Sequence, residues 1–339
     1  MQGADADPGV APHRPPYLRF LSLGVSGILI VVGAIVMYRW VSGPEILTML
    51  KRANWRWFIP AVFAYWLQMP ISAIRIQRII YWLLPPGLRA PPFKLILKVT
   101  LSGYFIAVTA PVGLMADAAK IGAFKYFGHM ATSQAIRCTL FDRVVAAQWM
   151  SLFALATLPL QWDLGVPSSS IGVQFLVSAG FLGAIVVMLC LPRVLRIFDH
   201  KLVLRFANLF SGYEKTYPLR RSAVQIAITA VNLILIFATL YCLLRAIGLD
   251  ANLLVIACFI PFLQLVNGVP FLYMGWGGRE IAMAATVGVA SGLSINQALV
   301  LSAVWGLTLI IAGAVNGIFM LGDWHSHRTA ANPSRPPVV

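Results

Sequence analysis

The sequence has few charged residues, and acidic residues are the scarcest of them. Only 11% of the 339 residues are charged, and 11 Asp and Glu stand against 26 Lys and Arg. Ordinary soluble domains carry about 25% charged residues. With 59% hydrophobic residues and a mean hydropathy of +0.81, this chain must expose much of its surface to lipid.

The sequence also lacks the motifs of several enzyme classes. It has no Gly-x-Ser-x-Gly, Walker or His-Glu-x-x-His motif, so it gives no support to hydrolase, ATPase or zincin chemistry. Its four cysteines are scattered singly, without the spacing of a zinc site. The basic residues sit in short loops and not in one domain, which argues against nucleic acid as a partner. We predict a protein that is not an enzyme and has no cofactor or metal site.

Long uncharged runs are what the sequence does contain. A helix needs about 20 apolar residues to cross the hydrocarbon core. The runs predict seven to ten crossings or part-crossings, and hence an all-α, polytopic transmembrane helical bundle. A signal peptide is the alternative for the first run, which is longer than the apolar part of such a peptide. The runs cover residues 20–37, 58–74, 144–160, 165–191, 222–244, 251–278 and 281–322.

Composition divides the chain into one membrane domain and two polar ends. Residues 17–322 are predicted to form a single transmembrane domain, between a disordered cytoplasmic arm at 1–16 and a disordered tail at 323–339. The basic connection 192–222 is placed in the cytoplasm by the positive-inside rule, either as an interfacial amphipathic helix or as a simple linker helix. We expect a multi-pass protein of the bacterial inner membrane with a cytoplasmic N-terminus. The sequence does not predict its oligomeric state.

A parity problem arises in the first half of the chain. The basic segment 75–98 is predicted to be cytoplasmic, so the apolar stretch 95–115 starts on that side. Asp142 and Arg143, which we expect at the beginning of the next span, belong on the same side. A single complete crossing by the stretch 95–115 would place Asp142 and Arg143 on the opposite side of the membrane.

A re-entrant hairpin resolves this parity problem. Pro111 and Gly113 interrupt the apolar stretch, and proline removes a helix bond while glycine admits positive φ. We predict that the chain turns there and returns through Asp117 and Lys120. Non-helical backbone at membrane depth must lie against protein or a water-filled cavity. The break therefore predicts an internal polar site.

The second half of the chain has a similar interruption. After residue 251 an apolar run reaches Pro270 and a group of glycines, followed by a predicted return limb at 281–290 and a last span capped by Ser294 or Asn296. If the two hairpins enter from opposite sides, they form an inverted pair around a midplane site. The glycines are Gly275, Gly277 and Gly278.

Charged residues beside the two breaks are the candidate site: Asp117, Lys120, Asp142, Arg143, Arg279 and Glu280. Adjacent helical side chains point about 100° apart, so Arg279 and Glu280 are expected to pair with the first group and not with each other. A lipid-binding or translocation role, structural pairing and interfacial placement all remain open. Cations near half-helix N-termini favour an anionic phosphate, so the predicted ligand is a phospholipid or a polyprenyl-phosphate-linked lipid.

These segments resemble a known family, the membrane domain of lysylphosphatidylglycerol synthases, or flippase-like integral membrane proteins. Pro270 and the following Gly-Trp-Gly-Gly-Arg-Glu segment at 275–280 are similar to the family's Pro-x-x-x-x-Gly-x-Gly-x-Arg-Glu pattern. Pro111-Val112-Gly113 with Asp117 and Lys120 is a looser match, because Ala116 and Lys120 replace a common glycine and the usual arginine. Asp142-Arg143 resembles the family's acidic-arginine pair. The resemblance spans roughly residues 19–321.

The resemblance implies lipid translocation between leaflets, or support of a lipid-modifying pathway. The soluble aminoacyl-transfer domain of the full synthases is expected to have no counterpart in this chain. Our leading hypothesis is a lipid flippase or transporter that binds membrane lipids with an anionic headgroup. The alternative is a non-transporting scaffold for a glycosyltransferase or another lipid-pathway enzyme.

Overall fold

A computed structural model describes residues 48–49, 51–84, 90–109, 113–195, 210, 212–216, 218–268 and 278–330. These residues form helices and no strand, which confirms the all-α prediction. In chain order the helices are α1 Phe58–Leu83, α2 Phe93–Thr109, α3 Gly113–Tyr126, α4 Thr132–Ala156, α5 Leu158–Asp163, α6 Ser168–Leu195, α7 Leu219–Ile247, α8 Leu253–Asn267, α9 Gly278–Ala282, α10 Val289–Ser291 and α11 Ile295–Ala330. Two 3₁₀ turns lie at Trp55–Trp57 and Tyr213–Thr216.

Five helical segments of the described chain are long and apolar enough to cross a membrane, which confirms a polytopic membrane protein. Several extend beyond the uncharged runs from which they were predicted, because helix ends carry charged residues that a search for apolar runs excludes. The five are Trp55–Leu83, Thr132–Asp163, Ser168–Cys190, Leu219–Ile247 and Ile295–Asn316. The predicted span 20–37 and the arm 1–16 lie outside the described residues.

Helices α2 and α3 form an antiparallel hairpin. Helix α2 ends at Thr109 and α3 begins at Gly113, so the turn falls where the sequence pattern placed it. Near the middle of the hairpin, Lys120 of α3 lies against Tyr104 of α2. At its open end, a β-carbon on Gly128 would lie 3.3 Å from Pro91. Both open ends therefore lie at the same end of the bundle, and the entry of this hairpin into the membrane stays a prediction.

The second interrupted stretch is also a pair of short helical limbs. Helix α8 packs against the limb 278–291, which consists of α9, a π-helix at Met283–Gly288 and α10. Gly292, with φ +72°, turns the chain into α11. Ser294 caps α11, because its Oγ accepts from the Gln297 N–H at 3.2 Å while Gln297 Oε1 accepts from the Ser294 N–H at 2.9 Å. The predicted cap at Ser294 is confirmed.

The largest apolar core lies where α1, α7, α8 and α11 meet, around the fully buried Trp305. Helix α6 contributes little to it and exposes most of its surface. Helix α11 continues to Ala330, so it includes the first residues of the predicted tail 323–339. Most of the basic connection 192–222 lies outside the described residues, and so do the two alternatives for it.

Candidate functional site

Helix α1 carries a polar face through an otherwise apolar span. Gln68, Ser72 and Arg75 are all buried and follow one another at spacings of four and three, so they share one face of the helix. Arg75 is also the first residue of the segment 75–98, whose cytoplasmic placement stays a prediction. Helix α1 continues for eight residues beyond Arg75, and the side chain points into the bundle.

Arg75 forms a buried ion pair with Asp142. Its Nε donates to Asp142 Oδ1 at 2.7 Å, and both side chains are 10% exposed. Asp142 is the eleventh residue of α4, which begins at Thr132, so the expectation that Asp142 and Arg143 begin this span is wrong. The prediction failed because it used the uncharged run 144–160 to define the span. The helix itself also includes charged residues such as Arg137, so it begins earlier.

Arg143 reaches the neighbouring hairpin. Its Nε and Nη2 donate to Asp117 Oδ1 of α3 at 3.2 and 3.0 Å, and 42% of the Arg143 side chain remains exposed. We predicted that Asp117, Lys120, Asp142 and Arg143 would pair with Glu280 and Arg279. This prediction is wrong, because ion pairs of the described residues join Asp117 to Arg143, Asp142 to Arg75 and Arg279 to Glu280. Asp117 and Asp142 therefore each pair with an arginine from the first half of the chain.

Lys120 is the third cation of this region. Its Nζ lies 5.6 Å from the centroid of the Tyr104 ring, an arrangement that permits a cation–π attraction. Lys120 forms no ion pair with a carboxylate of the described residues. A β-carbon at Gly103 would overlap the Lys120 side chain, so this glycine provides the space in which the lysine lies.

These charged groups surround a cavity of about 140 Å³ between α1, α2, α3 and α4. We call it the charged cavity. Three cations, Arg75, Lys120 and Arg143, line it together with one carboxylate, Asp142. Even when Asp117 is counted against Arg143, one positive charge remains in excess. Such a cavity is suited to an anionic group that brings two or three oxygen acceptors.

The charged cavity lies well inside the bundle. At a rise of 1.5 Å per residue, Arg75 is about 12 Å from the end of α1 at Leu83, and Asp142 is about 15 Å from the start of α4. The hydrocarbon core of a bilayer is about 30 Å thick. The cavity therefore lies roughly at half the depth of a membrane whose surface meets those two helix ends.

The second cluster of predicted site residues has a different environment. Arg279 Nη2 lies 3.0 Å from Glu280 Oε1, and Ser302 Oγ of α11 joins them by accepting from Arg279 Nε at 2.9 Å and donating to Glu280 at 2.8 Å. Arg279 is 0% exposed and lies 5.5 Å from the ring centroid of Trp305. The expectation that these neighbours do not pair is wrong, because their long side chains converge on one hydroxyl of α11.

The structure places only some of the predicted backbone breaks. Gly113 and Gly278 are the first residues of α3 and α9, so both lie at the start of a helical limb. The return limb of the second stretch begins at Gly278 and not at residue 281, which puts Arg279 and Glu280 in its first turn. Pro111, Pro270, Gly275 and Gly277 lie outside the described residues.

Sequence reasoning missed Arg75, Tyr104 and Ser302. The spacing of Gln68, Ser72 and Arg75 was a usable signal for a polar helix face, whereas nothing in the sequence pairs Ser302 with residues 22 positions away. No three His, Cys, Asp or Glu side chains within the described ranges come together as metal ligands.

Comparisons with known proteins agree with this architecture. The family model described as lysylphosphatidylglycerol synthase TM region matches residues 20–317, which is most of the chain and includes both charged clusters. A comparison with curated proteins finds no match.

Proposed function

Because this chain belongs to the lysylphosphatidylglycerol synthase transmembrane-region family, we propose that it moves an anionic lipid between the leaflets of the bacterial inner membrane. The lipid is a phospholipid or a polyprenyl-phosphate-linked lipid, and its headgroup phosphate enters the charged cavity. The protein crosses the membrane several times, and its N-terminus and the basic connection 192–222 lie on the cytoplasmic side.

The observation that carries this proposal is the charged cavity. Charged side chains at membrane depth are costly, and three cations gathered around one cavity need an anionic partner beyond Asp117 and Asp142. A lipid phosphate supplies the oxygen acceptors that arginine and lysine recognise. Arg75 is held by Asp142, while Lys120 and the exposed part of Arg143 are available to the ligand.

The hairpin of α2 and α3 gives the cavity its access. We propose that this hairpin is re-entrant and that its turn lies within the membrane, with both open ends on the cytoplasmic side. Helices of 17 and 14 residues are shorter than the roughly 20 residues of a complete crossing. Displacement of the hairpin relative to α1 and α4 would open the charged cavity to one leaflet.

Reconstitution into vesicles tests this function. Purified protein is incorporated into liposomes that carry a labelled lipid in one leaflet, across a panel of anionic phospholipids, zwitterionic phospholipids and polyprenyl-phosphate-linked glycans. We expect accelerated movement of an anionic lipid by the wild-type protein. An unchanged leaflet distribution across the whole panel would contradict the proposal, and copurification of a stoichiometric pathway enzyme together with that result would favour a scaffold.

A further inference from the structure

A second cavity lies at the basic end of the bundle, outside the site described above. It has a volume of about 270 Å³ and lies between the end of α1, the beginning of α4 and the 3₁₀ turn Tyr213–Thr216. We call it the outer cavity. Arg220 and Arg221 begin α7 at the same end, where Arg221 lies 5.5 Å from the ring centroid of Trp82 near the end of α1.

The walls of the outer cavity combine apolar and charged side chains. Leu83, Leu84 and Met130 form the apolar part, while Arg137, Glu214 and Lys215 bring two cations and one carboxylate. Arg137 Nε is buried and makes no hydrogen bond in the part of the chain that the structure describes. Because no hydrogen bond within the described residues involves Arg137, the outer nitrogens of its guanidinium can donate to a ligand that supplies oxygen acceptors.

The turn that lines the outer cavity on one side is attached to the bundle by side-chain contacts. The buried Tyr213 donates from its hydroxyl to Gln148 Oε1 at 2.6 Å, and its ring lies edge-on to Phe141 at 5.1 Å between centroids. On the other side, Arg221 Nη1 donates to the carbonyl oxygen of Lys215 at 2.6 Å. These contacts hold Glu214 and Lys215 at the wall of the outer cavity.

The two cavities are aligned along the same pair of helices. On α4, Arg137 of the outer cavity precedes Asp142 of the charged cavity by five residues, and on α1, Leu83 follows Arg75 by eight. At 1.5 Å per residue these separations are about 8 and 12 Å. The fully buried Ile79 and Phe141 lie between the two cavities on these helices.

We propose that the outer cavity binds the phosphate headgroup of an anionic phospholipid at the membrane surface, as a loading site ahead of the charged cavity. Arg137 and Lys215 contact the phosphate oxygens, and the first part of the acyl chain lies against Leu83, Leu84 and Met130. Glu214 weakens the attraction for anions and favours release. Binding stands on this geometry alone, whereas the loading role rests on the proposed transport function.

Lipid titration of the full chain in detergent tests the outer site. Native mass spectrometry counts the molecules of phosphatidylglycerol bound to the wild-type protein, to Arg137→Gln/Lys215→Gln and to Lys120→Gln. We expect two saturable sites in the wild type. Each charge-assisted hydrogen bond contributes enough that losing both cations should weaken one site by at least about tenfold. Lys120→Gln should weaken the other site.

Two controls separate binding from misfolding and from general charge. Arg56→Gln/Arg245→Gln removes two exposed cations at the opposite end of the bundle and should leave both sites unchanged. Glu214→Gln should tighten the outer site, a gain that a damaged fold cannot produce. The amide oxygen introduced by this substitution could still accept from the Gly212 N–H that Glu214 Oε2 binds at 3.1 Å.

The outcomes are distinct from those of the transport assay. Two unweakened sites in Arg137→Gln/Lys215→Gln would overturn the outer site, while the proposed function would still be judged by leaflet transport. Equal affinity for glycerol 3-phosphate would show a site for soluble phosphates and would contradict a lipid ligand. Equal affinity for zwitterionic phosphatidylcholine would contradict selection of an anionic headgroup.

Discussion

The two charged clusters of this protein are alike in sequence and different in surroundings. Each follows an interruption of a hydrophobic stretch, and each contains an arginine and a carboxylate. The first cluster lines a cavity in which cations outnumber carboxylates. The second is packed between α9 and α11, where Ser302 links Arg279 to Glu280 and Trp305 covers the guanidinium.

A buried charge in a transmembrane bundle is therefore not by itself evidence of a binding site. In the second cluster each charge has its counter-charge beside it and shares a bridging hydroxyl, so we propose that this pair acts as a packing element. An excess of one charge beside an open volume requires a further partner. We therefore propose that the charged cavity binds lipid and that the Arg279–Glu280 pair has a positioning role.

The largest expected effect is on stability and lies in the second cluster. Glu280→Ala leaves the buried Arg279 without its carboxylate, and breaking a buried ion pair costs about 3–5 kcal/mol. Thermal unfolding in detergent should detect a large loss for this variant. A melting temperature equal to that of the wild type would contradict the assignment of a packed internal pair.

Replacing both members of that pair distinguishes packing from function. Apolar residues of similar volume often replace a buried ion pair at little or no cost. We expect Arg279→Met/Glu280→Met to recover most of the stability lost in Glu280→Ala and to keep leaflet transport. A stable double variant without transport would place the Arg279–Glu280 pair in the lipid pathway.

In the first cluster the expected effect is on transport. Lys120→Gln removes the cation that has no carboxylate partner among the described side chains, and we expect at least about tenfold slower lipid movement with little change in unfolding. Lys125→Gln, on the same helix and exposed, is the matched control and should transport at the wild-type rate. Equal rates in the two variants would remove Lys120 from the site.

The smallest expected effect concerns the space beside Lys120. Gly103→Ala places a methyl group where the lysine side chain lies, so the lysine must shift and transport should slow by a few fold. Gly122→Ala is the matched control, since a β-carbon at Gly122 meets no atom within 4 Å. Vesicle transport rates for the two alanine variants measure the difference, and equal rates would show that the lysine position is unimportant.

Much of this architecture was predictable from the sequence, and the partners of the charges were not. Long apolar runs and a proline-glycine break predict helices and a turn, because both follow from local chemistry. Ion pairing depends on which helices become neighbours. Arg75 begins a basic segment of the sequence, but α1 extends past it and its side chain pairs with Asp142 of α4. Helix α4 begins 49 residues after α1 ends, so this pairing has no local signal.

The second cluster shows the opposite error. The angle between adjacent helical residues suggested separate partners for Arg279 and Glu280, but side-chain length allows both to reach Ser302 Oγ. The π-helix at Met283–Gly288 was likewise not predicted, since it depends on how the limb packs against α8 and α11. The local sequence therefore predicted that Arg279 and Glu280 lie beside a break in the helix, and it did not predict which side chains they contact.

The most direct test of the proposed lipid site is photocrosslinking with an anionic phospholipid that carries its reactive group in the headgroup. After reconstitution and illumination, peptide mass spectrometry identifies the labelled residues. We predict adducts on the residues that line the charged cavity, such as Thr100, Ala107 and Ala116, and none around Ser302 and Trp305. Labelling confined to the second cluster, with the charged cavity unmodified, would contradict the account.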